Sequence, residues 1–88
     1  MIHLLWPSRR DAQRVARMHP VTQTPSPRLP RDDRSVLLRV GQYDGKRLKL
    51  YPHNVLYLTQ SGTWMDGFSG APVRESITHW VVAAEFPE

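Results

Sequence analysis

The chain has no cysteine among its 88 residues, which removes disulfide staples, thiolate metal ligands and thiol nucleophiles together. It lacks any apolar run approaching the roughly 20 residues needed to cross a bilayer. Met1 to Trp6 is too short for a signal-peptide core and has no basic start, so a cytoplasmic protein with no membrane contact is expected. The five glycines form neither a Gly-x-Gly-x-x-Gly nor a Gly-Lys-Ser/Thr arrangement, which excludes the usual phosphate cradles. At this length folding buries only roughly 60–65% of the surface that the unfolded chain exposes. One domain with a small core and no large internal active site is expected.

Catalytic groupings are equally scarce. His3, His19, His53 and His79 never pair at metal-site spacing and have no acid cluster beside them, so neither a metal nor another cofactor is expected. His79, between Thr78 and Trp80 in an alternating run, should face away from both. If Trp80 points to the core, His79 points to solvent or a partner, although a half-buried histidine with one hydrogen bond is the plainer reading. Gly67-Phe68-Ser69-Gly70-Ala71-Pro72 is similar to the surroundings of a chymotrypsin-like nucleophile. That fold needs two barrels and a distant His and Asp, whereas only His53 with Asp66, or His19 with Asp44, precede Ser69. A glycine-rich turn between strands accounts for the same residues. Asp32 and Asp33 read as turn-makers and Asp66 ends a strand, so no general acid and base stand together. The chain reads as a non-enzyme.

What is present is unevenly placed charge. Residues 1–34 carry seven arginines against three aspartates, an excess of +4, while residues 35–88 balance five bases with five acids. A basic part joined to a neutral one suits an acidic partner, nucleic acid or protein, or else is only a solvated surface.

Prolines divide the chain. Pro20, Pro25, Pro27 and Pro30 make residues 20–30 an extended linker between an N-terminal segment, 1–19, and a β-rich part, 31–88, of one compact domain. Pro27-Arg28-Leu29-Pro30 meets the bare Pro-x-x-Pro pattern, which proline-rich linkers match by chance. Ile2 to Trp6 reads as a short strand stopped by Pro7. Ser8 followed by Asp11 resembles a capping box and opens a helix over about Arg9 to Met18. Ala12, Val15, Ala16 and His19 would form its packed face, with Arg10, Arg14 and Arg17 elsewhere. Beyond the linker, strands are expected at Ser35–Val40, Arg47–Tyr51, Val55–Thr59, Thr63–Asp66 and Ile77–Ala83, with an Asp44-Gly45 hairpin turn. The fold class is therefore α+β, a small antiparallel sheet of four to five strands with one short N-terminal helix packed against it. Trp6, Trp64 and Trp80 should fill the core. If Ser35–Val40 or Ile77–Ala83 were an edge, it could pair with a second copy and form a homodimer.

Leu29-Pro30-Arg31-Asp32-Asp33 leading into a strand, Gly62-Thr63-Trp64 and Ile77-Thr78-His79-Trp80 resemble the domain-of-unknown-function family numbered 551. That family consists of small proteins from phages and prophage-carrying bacteria. The resemblance covers residues 29–88; Val81 to Glu85 replace the family's proline-rich ending, and the basic N-terminal part has no counterpart. It implies a phage or prophage origin, hence action in the host cytoplasm, and carries over no catalytic residue. The resulting expectation is stoichiometric binding to a host protein or nucleoprotein complex, as an inhibitor of host defence of the anti-CRISPR kind. Arg10, Arg14 and Arg17, with Arg9 at the helix start, would contact an acidic face, and His79 is a further contact. The alternative is direct nucleic-acid binding by the basic helix, with Tyr51, Tyr57, Trp64 or Phe68 stacking on bases if exposed. No partner helix stands at helix-turn-helix spacing.

Overall fold

The computed structural model describes residues 7–21, 37–58 and 62–86. It contains helix α1 (Arg9–Val15) and six strands: β1 (His19–Pro20), β2 (Leu38–Tyr43), β3 (Leu48–Leu50), β4 (Val55–Leu58), β5 (Thr63–Asp66) and β6 (His79–Val82), followed by a 3-10 turn at Ala83–Glu85. All pairings are antiparallel. The strands lie in the order β1-β6-β2-β4-β5, with β3 also beside β2. The fold is α+β, a small sheet with a single α-helix among the described residues, as the residue pattern implies. The additional strand is β1, two residues long.

β2 is central. Leu38 pairs with Val82 on one side and Val55 on the other, and Gly41 pairs with His79 and Leu50, so β3 and β4 share the flank opposite β6. Between them residues 52–54 leave the ladder, as Pro52 requires, after the Tyr51 amide has bonded the Val40 carbonyl at 2.9 Å. Gly41, expected to end the strand, instead lies buried within it. A Cβ there would stand 2.9 Å from Leu48 Cδ1 and 3.1 Å from the Lys49 carbonyl oxygen, so the close approach of β3 selects glycine. The strand therefore runs three residues past the expected end at Val40. The Asp44-Gly45 turn closes as expected: Asp44 Oδ1 accepts from the Lys46 and Arg47 amides at 2.8 and 2.9 Å, and Gly45 takes φ 95°. β6 starts at His79 rather than Ile77, and Ala83 already belongs to the 3-10 turn.

The helix docks on the sheet. Ser8 Oγ accepts from the Asp11 amide at 3.1 Å, the first half of a capping box. The second half is missing, because the Asp11 carboxylate reaches across to accept from the Leu48 amide of β3 at 2.8 Å. The Ser8 amide donates to the Lys46 carbonyl at 2.8 Å. α1 ends at Val15, since the Arg17 and Met18 amides bond three residues back. Its packed face also differs from the expected one: Ala12 and Ala16 are exposed, while Asp11, Arg14 and Val15 are half-buried and Met18 is buried. The larger Met18 and the Arg14 stem offer more apolar surface than two alanine methyls, and they set the rotation of the helix.

Two apolar clusters sandwich the sheet. Leu38, Val40, Val55 and Trp80 form one; Met18, Leu48, Val81 and Phe86 form the other, beneath α1. Trp80 and Val81 are neighbours in β6 and point to opposite faces, so the centre of the sheet is covered on both. Trp80 is fully buried and Trp64 is half-buried against Tyr57, ring centroids 4.6 Å apart. Trp6, the strand expected at Ile2 to Trp6 and most of the linker lie outside the described residues. Pro20 belongs to β1, not to a linker, and the Val21 amide continues the pairing to the Thr78 carbonyl at 2.9 Å.

The two strands considered as homodimer edges are both interior. β2 lies between β6 and β3/β4, and β6 lies between β2 and β1. Among the described strands the borders are β1, β5 and the far side of β3, and β5 is lined by residues 71–73: the Asp66 amide donates to Ala71 O and the Val73 amide to Trp64 O, both at 2.8 Å. Among the described residues no helix is long and apolar enough to cross a membrane.

Candidate docking surfaces

Asp66 ends β5 opposite Val55, so its side chain turns to the same face as that core residue, and it is only 5% exposed. Four donors meet it. Oδ1 accepts from the Phe68 and Ser69 amides at 2.6 and 2.9 Å, and Oδ2 accepts from Tyr51 Oη at 2.6 Å and His53 Nδ1 at 2.9 Å. Hydrogen bonds to the charged form, led by Tyr51 and then His53, hold the carboxyl well below its usual range. The same bond pushes the Tyr51 phenol up to about 12. An ionised carboxylate only accepts, so Nδ1 of His53 is the donor in that pair.

This carboxylate clamps the turn at 67–70. Gly70 donates back to the Asp66 carbonyl at 2.9 Å and Gly67 to the Asn54 carbonyl at 2.8 Å. A Cβ on Gly67 would meet that carbonyl at 2.8 Å, so the turn lies tight against the 52–54 excursion. Ser69 Oγ accepts from the Ala71 amide at 3.2 Å. His53 and Asp66 do come together, but Ser69 serves them through its backbone amide while its hydroxyl is turned into its own loop.

The clamp presents Phe68 outward, 84% exposed, its ring 5.2 Å from that of His53 and tilted by 35°. Leu37 is the other large apolar side chain exposed among the described residues. Both line one open cleft of ≈ 380 Å³, walled by Pro52 and Gly67 and edged by Arg39, His53 and Asn54. The pattern pointed to neither Leu37 nor the clamp; an aspartate just before Gly-Phe-Ser-Gly is the turn signal that marks it.

The expected contact residues divide. Arg9 and Arg10 are exposed on α1, and Arg17 is exposed just past its end. Arg14 is half-buried, 3.6 Å from Asp11 and with its guanidinium 5.7 Å from the centre of the Phe86 ring. His79 faces away from Trp80, as alternation requires, yet is half-buried. Its Nδ1 lies 2.8 Å from Thr78 Oγ1, its ring stands edge-on to Tyr43, and burial pushes its pKa below the ordinary histidine value. Thr78 Oγ1 also accepts from the Tyr43 amide at 2.8 Å, tying that end of β6 to β2. Among the described residues no three His, Asp or Glu side chains gather as a metal site would require. No family model matches this chain, and comparison with curated proteins and with solved structures returned no match.

Proposed function

We propose that the chain is a small non-enzymatic protein that acts by stoichiometric binding to an acidic face of a host protein or nucleoprotein complex. One observation carries this reading. The only carboxylate of α1, Asp11, is turned inward to the Leu48 amide, while Arg9, Arg10 and Arg17 stand exposed and unpaired among the described residues. A helix that hides its acid and displays its bases presents a field complementary to negative charge. The motifs of residues 29–88 that resemble family 551, which no family model matches, are the basis for proposing a phage or prophage source, and inhibition of host defence, of the anti-CRISPR kind, is the action proposed for such binding.

Direct nucleic-acid binding through the same arginines is the second reading, favoured by their exposure. It is weakened by the aromatics: Tyr51 is tied to Asp66 and Tyr57 to Trp64, which leaves Phe68 as the one fully displayed ring among the four stacking candidates. Affinity capture from host lysate, with and without nuclease, tests the proposal. Arg10→Glu with Arg17→Glu should reduce capture severalfold and leave the thermal midpoint nearly unchanged; unaltered capture would remove α1 from the interface. Oligonucleotide affinity falling with log salt by about 0.7–0.9 per phosphate contact would favour the second reading.

A further inference from the structure

We infer that the Asp44-Gly45 bond is a site of spontaneous aspartyl isomerisation, with water as the only co-reactant, and that the fold shields the second Asp-Gly bond, Asp66-Gly67, from the same reaction. Glycine is the following residue that least hinders ring closure, because no Cβ stands beside its amide nitrogen. The chain holds this dipeptide twice, at the tip of the β2–β3 hairpin and in the turn after β5, and the two surroundings are opposite. At 44–45 both residues are exposed. Asp44 Oδ1 accepts from the Lys46 and Arg47 amides of its own exposed turn. The Gly45 amide, the attacking group, has no hydrogen-bond partner among the described residues. A Cβ built on Gly45 would meet nothing within 4 Å, so the turn has room to swing into the ring geometry. At 66–67 the carboxylate is 5% exposed, with its oxygens occupied by four donors. The Gly67 amide is committed to the Asn54 carbonyl at 2.8 Å.

In the reaction the Gly45 nitrogen loses its proton and bonds to Asp44 Cγ, and a carboxyl oxygen leaves as water, closing a succinimide ring. Water then adds to either ring carbonyl. Addition at Cγ restores aspartate. Addition at the Asp44 backbone carbonyl breaks its bond to the Gly45 nitrogen, so the chain runs on through Cβ and Cγ and the backbone carboxyl is set free. One water is lost and one is gained, with no oxidant or reductant. The product lengthens the hairpin by one backbone carbon and withdraws Oδ1 from the Lys46 and Arg47 amides. The same turn holds the helix, since the Lys46 carbonyl accepts from the Ser8 amide at 2.8 Å. Isomerisation at Asp44 therefore reaches the N-cap of α1. This inference does not depend on the binding reading above.

Only a neutral carboxyl releases its oxygen as water, and the Arg47 and Lys46 amides hold the Asp44 carboxyl below its ordinary value, so the test is run in mildly acidic buffer. The full chain is kept there for weeks at physiological temperature, beside a sample unfolded in guanidinium chloride. Cleavage after Lys and Arg puts the two sites in separate peptides, 40–46 and 50–74. Isoaspartate is counted in each by chromatographic separation at unchanged mass and by electron-transfer fragmentation. In the folded chain peptide 40–46 should isomerise about tenfold faster than 50–74, or more, since the hydrogen bonds around Asp66 must open first. In denaturant the two rates should become comparable. Asp44→Glu, whose longer side chain closes a larger ring far more slowly, should remove the product from 40–46. The isolated isomer should exchange its Ser8 amide faster than the parent chain. Equal rates in the folded chain, product at 40–46 only after unfolding, a difference between the sites that persists in denaturant, or unchanged Ser8 exchange in the isomer would each overturn the inference.

Discussion

The helix and the 67–70 turn are fastened to the sheet by opposite means. α1 leads into an apolar anchor just past its end, Met18 packed against Leu48, Val81 and Phe86, beside the Asp11 carboxylate on the Leu48 amide, and the guanidinium groups of Arg9, Arg10 and Arg17 are displayed. The turn is held by a carboxylate, with Asp66 facing in and Phe68 facing out. Apolar fastening uses up the hydrophobic side chains of a segment and leaves its charges available. Polar fastening does the reverse, freeing an aromatic ring for contact while keeping its backbone rigid. One small sheet thereby displays a charged surface and an apolar one.

The comparison can be broken from either side. Phe86→Ala should have the largest effect, about 3 kcal/mol measured by denaturant unfolding, because it empties a buried site that the adjoining Met18 cannot refill. Asp66→Ala should cost less overall, lowering the thermal midpoint by about 5–10 °C, but its effect should concentrate at the turn. Amide exchange at Phe68 and Ser69 should accelerate strongly while that at Leu38 and Val40 changes little. Equal protection of the turn in that variant would show that the carboxylate is not its anchor.

The smallest effect is a pH signature. The Asp66 carboxyl is held below its unfolded value of 3.8, so its contribution is complete above that pH and is lost as the pH falls further. Tyr51 is raised from 10.0 to about 12. Its contribution is complete below pH 10 and is lost as the pH climbs through that interval. Tyr51→Phe should flatten this alkaline limb and, by removing the leading donor to Asp66, also shrink the loss below pH 3.8. An unchanged alkaline profile, read by stability at each pH, would detach Tyr51 from the clamp.

Much of the fold was legible where the determining residues are close in sequence. Asp44-Gly45 closes its turn with its own side chain, Ser8 caps α1 three residues on, and the alternation of Leu38, Val40, Trp80 and Val82 marks one face of the sheet. The rest depends on distant partners. Gly41 reads locally as a stop, and only the approach of Leu48 and Lys49 reveals it as a strand residue. The helix rotation was misread because alanine periodicity takes no account of Met18, which lies past the last helical residue. The clamp was invisible for the same reason: Asp66 draws Tyr51 from 15 residues away and His53 from 13. Arg9, Arg10 and Arg17 were legible as a basic surface, whereas the diversion of Arg14 onto Phe86 depends on a residue near the other end of the chain.

The way the sheet is bordered governs how this protein can be recognised. The outer strand β1 is two residues long and one of them is Pro20, which has no amide hydrogen to donate. Pro72 lies across the outer side of β5, and the Leu48 amide of β3 is already held by Asp11. Among the described strands each border is therefore short or blocked, so an incoming chain finds no ladder to extend, whether it belongs to a binding partner using strand addition or to an aggregating copy. Recognition is left to side chains, and its specificity can be altered residue by residue without disturbing the backbone beneath.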